Sequence, residues 1–414
     1  MTLLTTLAFA GGLSAPERGL ARHADRSLDA QVALLEQLTE QNSGTLNVEG
    51  VRGVGEQVRT VLEPMGFTVR WEEVEGRAGH LVADRPAEGA KRLLLVTHLD
   101  TIFEPDSPFQ HFDPDGDIAR GPGVHDMKGG LVVAIAALQT LHARGLLDGV
   151  NVVLFGCGDE ELPAADIDAT RAALVALAQT ADVALGFEGW DADHPGIVTA
   201  RRGIAVWEAT SAGQDGHSSR IFTEAMGYGA AYEAARVVNT FREELPEDLL
   251  TYNVGLMAAG ATAVRTKKSA TATGKLNRVP QIASYAGDLR YISSEQRDRA
   301  SETMAGIAEA SLPGTSTSFS IAEMYPPMPP TEGNRALHTL VAEIHADLRA
   351  GDVPAVDPLF RGAADVSFVA PYVDVIDGLG PAGGGDHSPD EWVQLSDLTL
   401  ATQRAAILMH RLSQ

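Results

Sequence analysis

Three short apolar runs, at 93–96, 152–155 and 183–187, restrict this chain most, because helical patterns separate them. The runs are too short for helices and do not alternate, as strands buried on both faces do not. Between the first two, Leu131, Ala134, Ile135, Leu138 and Leu141 share one face of an amphipathic helix predicted over residues 130–144, with Gly145 as its C-cap. Residues 168–179 read as the next helix. This order predicts an α/β fold with a mostly parallel central sheet flanked by helices. Upstream, 25–64 read as helix, turn, helix, and 67–71 as a strand.

Near residue 200 the rhythm changes. Residues 203–210 alternate as a half-buried strand does, and a helix is predicted over 223–243. Strand-like stretches follow at 251–257, 284–291 and 316–322, with a helix from 294 to 310. This predicts an inserted α+β domain with an antiparallel sheet, residues 200–323, inside a discontinuous domain of 1–199 and 324–414. Pro326, Pro327, Pro329 and Pro330 form a stiff return link. Helices at 334–349 and 396–412 and a strand at 374–376 complete the first domain.

The 414 residues carry 32 Lys plus Arg against 56 Asp plus Glu, a net charge of −24. That balance disfavours nucleic acid and anionic membranes as partners. The single cysteine, Cys157, leaves no intramolecular disulfide and reads as a buried, inert thiol. No apolar run is long enough to span a membrane. Residues 2–15 are apolar, but 1–16 contain no Lys or Arg, so the positive start of a signal segment is missing. A cytoplasmic location is expected, with periplasmic or secreted as the alternative.

Metal-type side chains gather where the apolar runs end. His98 and Asp100 follow the first run, Glu160 and Glu161 the second, and Glu188 the third. Asp126 sits within the glycine-rich turn Gly121-Pro122-Gly123-Val124-His125-Asp126-Met127-Lys128-Gly129-Gly130, and His387 in the loop Gly383-Gly384-Gly385-Asp386-His387-Ser388. In open α/β sheets, sites form beyond the carboxyl ends of strands, so these residues can converge. Carboxylates with imidazoles suit zinc, and also manganese or cobalt. A two-ion site needs one bridging carboxylate and about two terminal ligands per ion. His98, Glu188, Glu161 and His387 with Asp126 as the bridge fill that need and leave Glu160 over. A carboxylate there can move a proton from attacking water to a leaving amine. Asp100 can accept the proton on the second nitrogen of His98.

His98-Leu99-Asp100-Thr101, Gly123-Val124-His125-Asp126-Met127-Lys128-Gly129-Gly130 and Gly158-Asp159-Glu160-Glu161 resemble the successive motifs of the di-zinc peptidase and aminoacylase family. Its members include bacterial glutamate carboxypeptidase, succinyl-diaminopimelate desuccinylase and acetylornithine deacetylase. The resemblance runs from about residue 30 to the end. It implies a zinc-peptidase-like catalytic domain with an inserted dimerisation domain. It implies two zinc ions per chain: His98 and Glu188 on one, Glu161 and His387 on the other, Asp126 between them, and Glu160 as general base. Phe187-Glu188 and Gly378-Leu379-Gly380 look closest to glutamate carboxypeptidase among these relatives.

In the insert, Ala212-Gly213-Gln214-Asp215-Gly216-His217-Ser218-Ser219 is similar to the family stretch whose histidine reaches the partner subunit's site and polarises the scissile carbonyl. That role is implied for His217, and a homodimer with it. Asn277 and Arg290 look like the family's contacts to the substrate carboxylate, and an Arg can grip one with two parallel bonds. Gly362 opens a departure: this chain has Gly362-Ala363-Ala364-Asp365-Val366 where relatives carry Gly-Gly-Thr-Asp-Ala. The loop that helps shape the pocket for the released amino acid has lost a hydroxyl, which puts strict glutamate specificity in question.

The expected activity is co-catalytic zinc hydrolysis of an amide, releasing a C-terminal amino acid from a small peptide or N-acyl amino acid with a free carboxylate. The alternatives are an N-acyl-amino-acid deacylase on the same site and a non-hydrolytic, zinc-binding dimeric sensor. The unliganded Glu160 speaks against the sensor, which has no use for a proton carrier.

Overall fold

The computed structural model describes residues 12–414. Most of the apolar segment 2–15 therefore lies outside the described residues. The chain divides into two compact units. One comprises the described residues of Met1–Ala200 with Pro330–Phe360 and Ala364–Gln414; the other is Arg201–Pro329 with Arg361–Ala363.

Among the described residues of the first unit, six strands form the main sheet, in the order Thr68–Glu72, His80–Arg85, Asn151–Cys157, Arg92–His98, Val183–Gly186 and Val375–Ile376. The last four run parallel to their neighbours, and the first two add an antiparallel edge. Leu93, Leu94, Leu95, Val152, Val153 and Leu154 are fully buried, as unbroken apolar runs covered on both faces must be. The Lys128–Ala143 helix departs from expectation: it is not amphipathic but buried at nearly every position. The sheet lies on one side of it, and the Ala15–Asp25, Leu28–Glu40 and Asp397–Leu412 helices cover the rest. The Ala15–Asp25 helix lies outside the predicted elements; a capping box between Ser14 and Glu17 starts it.

A smaller sheet escapes sequence reading. It joins Asp113–Asp115, Ile118–Arg120, Trp392–Gln394, Ala382–Gly384 and Trp190–Asp191 in that order. Its strands are two or three residues long, too short to leave a periodic signature, yet they tie together loops distant in sequence.

The second unit is an antiparallel sheet with Ile282–Tyr291 and Gly203–Gly213 at its centre and Thr315–Tyr325 at one edge. The Ala230–Glu244 and Ser294–Glu309 helices pack on it around Trp207, Phe241, Tyr285 and Met304. The first helix starts later than predicted, because Gly227 and Gly229 adopt left-handed conformations just before it. A hairpin of Thr262–Arg265 with Ala270–Thr273 projects where no element is predicted. Among the described residues, no helix is long and apolar enough to cross a membrane.

Candidate metal centre

Parallel pairing of the Arg92–His98, Asn151–Cys157 and Val183–Gly186 strands brings their carboxyl ends to one edge of the sheet. His98 is the last residue of the first strand. Glu160 and Glu161 follow the second, and Glu188 the third. Asp126 arrives from the turn before the Lys128–Ala143 helix. At Gly130 a Cβ would lie 1.7 Å from the Phe187 carbonyl oxygen, so only glycine lets the helix start against the Glu188 segment. The small sheet supplies His387, because Ala382–Gly384 pairs in parallel with Trp190–Asp191 just beyond Glu188.

The two imidazoles flank Asp126. His98 Nε2 is 3.0 Å from Asp126 Oδ1 and 3.9 Å from Glu188 Oε1. His387 Nε2 is 3.1 Å from Asp126 Oδ2 and 3.0 Å from Glu161 Oε2. His98, Asp126 and Glu188 thus form one group able to hold a metal ion, and Asp126, Glu161 and His387 a second, sharing one carboxylate. Glu160 belongs to neither group. With His98, Glu188, Asp365 and Asp377 it lines a cavity of about 10 Å³, roughly the space of one water.

The electrostatics match the geometry. Burial opposes the charged form of His98, yet Asp100 and Asp126 hold its proton well above the usual imidazole range. Hydrogen bonds to Asp126 and Glu161 push His387 up to about 11. Burial works to raise Asp126, but the two imidazoles outweigh it and hold it well below the carboxylate range. Glu161 is pushed up to about 7 by burial and the Asp126 charge. Glu160 goes well above its ordinary value through burial and the Asp365 charge. Negative charge exceeds what two imidazoles balance, and hard oxygen donors with two nitrogens suit divalent cations. These residues fit a two-ion centre.

Asp100 does more than expected of it. The Nδ1 of His98 lies 3.0 Å from the Asp100 carbonyl oxygen and 3.5 Å from its carboxylate. The main-chain oxygen therefore fixes the ring, leaving Nε2 toward the site. The carboxylate accepts from the backbone N–H of Glu160 and Glu161, each at 3.1 Å, and from the Thr45 hydroxyl at 2.7 Å. One residue thus positions both the imidazole and the acidic pair.

Three further residues escape sequence reading. Glu391, buried, accepts from the backbone N–H of Gly123, His125 and Asp126 at 2.9–3.0 Å. Burial pushes it up to about 7 against those donors. Asp377, also buried, accepts from the Glu188 N–H at 3.1 Å. Arg171 binds the carboxylates of Asp159 at 2.5 Å and Asp365 at 2.7 Å, all three buried. For Glu391 and Asp377 the only sequence cue is an acidic residue in a loop, which surface turns supply in quantity, and Arg171 is one arginine within a predicted helix. A third group, His80, Cys157 and Asp159, is close enough for a metal but already occupied. His80 Nε2 contacts the Thr170 carbonyl, its Nδ1 accepts from Gly158, and Asp159 pairs with Arg171.

The remaining site candidates lie in the second unit. His217 and Asn277 meet, with Asn277 Nδ2 at 3.5 Å from His217 Nε2. Arg290 stands apart from them: its Nε is 3.1 Å from Asp288 Oδ2 at the far end of the Ile282–Tyr291 strand. The Gly362 carbonyl accepts from Arg201 Nη1 at 2.7 Å.

The chain is similar to known proteins along most of its length. The family model described as peptidase family M20/M25/M40 matches residues 94–411. Carboxypeptidase G2 of Pseudomonas sp. (strain RS-16) is 27% identical over 420 residues, covering 98% of this chain and 95% of that protein. Succinyl-diaminopimelate desuccinylase of Gluconacetobacter diazotrophicus is 26% identical over 388 residues, covering 91% and 93%. A dinuclear metal-binding M20 peptidase from Bacillus subtilis superposes with a TM-score of 0.66 at 14% identity, covering 94% of this chain and 98% of its own.

Proposed function

Because the chain belongs to peptidase family M20/M25/M40 and is a hydrolytic enzyme, we propose that it releases a C-terminal amino acid with a free carboxylate from a small peptide or N-acyl amino acid. The observation that carries this reading is the pair of ligand groups sharing Asp126, with Glu160 outside both. His98 and Glu188 would hold one ion, Glu161 and His387 the other, and Asp126 both. Zinc, or manganese or cobalt in its place, supplies Lewis acidity that favours attack on the carbonyl and stabilises the charge that develops on its oxygen. Glu160 takes a proton from the attacking water and delivers it to the departing nitrogen. Burial and the Asp365 charge raise its proton affinity, which favours taking up that proton. The Asp100 carbonyl keeps a proton on His98 Nδ1, so that Nε2 remains the donor atom.

The second unit supports a dimeric enzyme. His217 and Asn277 lie near the Ile282 end of a strand whose other end carries Arg290. Eight residue steps separate Ile282 from Arg290, roughly 27 Å of strand. A scissile carbonyl and the carboxylate of the same amino acid are a few ångströms apart, so one copy cannot present both groups to one substrate. In this reading Arg290 holds the carboxylate, and His217 of a second copy polarises the carbonyl. The location read for the enzyme is the cytoplasm.

A deacylase is the second reading, favoured by similarity to the desuccinylase over 91% of this chain. A panel of dipeptides and N-acyl amino acids, assayed with added Zn²⁺, Mn²⁺ or Co²⁺, separates the two. Turnover should be lost in Glu160→Gln while both ions remain bound. Near wild-type turnover in that variant would remove Glu160 from the mechanism.

A further inference from the structure

The charge of this chain is unevenly placed. From Leu249 to Gly287, 39 residues contain no Asp or Glu and five cations, Arg265, Lys267, Lys268, Lys275 and Arg278. The segment carries +5, and the rest of the chain −29. Two of the five have fold partners: Arg265 pairs with Glu208 at 2.7 Å, and Arg278 pairs with Asp215. Lys267, Lys268 and Lys275 are exposed, and among the described residues none of the three forms a salt bridge. Lys267 and Lys268 cap the Thr262–Arg265 and Ala270–Thr273 hairpin. Lys275 follows that hairpin, two residues before Asn277, which meets His217. The base of the hairpin is bonded to the same part of the sheet, Ala261 to Thr273 and Gln281 to Gly260. Between Lys275 and Asn277 in sequence, Leu276 is wholly exposed.

Exposed lysines without partners do little for folding. A strongly acidic protein repels anions, and the repulsion is screened beyond about 8 Å at physiological salt. A local cationic arm is therefore what admits an anion to an otherwise acidic surface. We propose that this arm binds the part of the substrate retained after cleavage, and that this part is an acidic peptide segment bearing side-chain carboxylates. The inference rests on the amide-hydrolase reading, since His217 marks where the reacting amide would lie. Lys275 takes the nearest carboxylate, the hairpin tip takes carboxylates further from the amide, and Leu276 covers the aliphatic stems.

Binding rather than turnover tests it. Full-length Glu160→Gln protein is titrated into fluorescein-labelled tetra-glutamate and tetra-glutamine peptides, read by anisotropy at 20 and 200 mM salt. The glutamate peptide should bind at least about tenfold tighter at 20 mM and lose most of that preference at 200 mM, as screening requires. The triple variant Lys267→Glu, Lys268→Glu, Lys275→Glu should abolish the preference. The triple Gln variant serves the same purpose if charge reversal impairs folding. Equal affinity for the two peptides, or a preference that survives the triple variant, overturns the proposal. So does single-stranded DNA competing as strongly as the glutamate peptide. So does a triple variant that falls from dimer to monomer in sedimentation, which would make the lysines a subunit contact. If the wild-type protein cleaves no peptide or acyl amino acid, the functional reading fails while the binding result stands by itself.

Discussion

Glu391 offers a demanding test of how the bridging carboxylate is held. Its Oε2 accepts from Gly123, and its Oε1 from both His125 and Asp126. In Glu391→Gln the single carbonyl oxygen can keep the His125 and Asp126 bonds. The amide nitrogen then faces the Gly123 N–H, donor against donor. A buried N–H left without a partner costs about 1–3 kcal/mol, and the two surviving bonds lose their charge assistance. We expect the variant to be about 2–3 kcal/mol less stable in urea unfolding of the first unit. Because the three donors belong to the turn that aims Asp126, we also expect divalent-ion affinity to drop by about 10–100-fold, the usual cost of losing support behind a metal ligand. Chelator competition on the folded variant measures the second effect. A folded variant with unchanged stability and unchanged affinity would refute the reasoning, because the three bonds would then neither stabilise the turn nor aim Asp126.

Two further predictions concern the second unit. Mixing Glu160→Gln chains with His217→Ala chains and re-forming dimers should recover about a quarter of wild-type activity, since half the dimers are mixed and each has one complete site of two. No recovery despite proven subunit exchange would mean that His217 serves its own chain or takes no part. Glu233 is buried and bound by Arg236, Leu312 N–H and the hydroxyls of Thr315 and Thr317. Burial works to raise its carboxyl, but these partners outweigh it and hold the folded value below the ordinary 4.5. The carboxylate therefore contributes stability that is fully present above pH 4.5 and fades as pH falls through the folded value. Glu233→Gln should destabilise the protein by about 1–3 kcal/mol at pH 7, with the gap to wild type narrowing as pH falls below 4.5. A gap constant down to pH 3 would contradict the assignment.

What the sequence discloses is what local pattern encodes. Buried parallel strands read as unbroken apolar runs, and a parallel sheet must put their carboxyl ends on one edge, so His98, Glu160, Glu161 and Glu188 are legible together. Asp126 and His387 stand out through the glycine-rich turns that hold them. Asp100 is half legible: its nearness to His98 is plain, but its grip on the Glu160 and Glu161 N–H groups depends on strand pairing across some 60 residues. Glu391, Asp377 and Arg171 act through contacts made only once the chain has folded, and no spacing precedes them. The helix at 128–143 shows the same limit. Its apolar stripe marks one face, while burial of the other is decided by the terminal helices packed on it. In the hairpin at 262–273, the short Thr- and Ala-rich strands are too weakly patterned to declare themselves.

The central claim is that Asp126 bridges two divalent ions. Anomalous diffraction from crystals of zinc-loaded protein, collected on both sides of the zinc edge, tests it most directly. The account predicts two peaks about 3.5–4 Å apart. Asp126 should lie between them, with His98 and Glu188 at one and Glu161 and His387 at the other. A single peak, or two peaks that do not share Asp126, would contradict it.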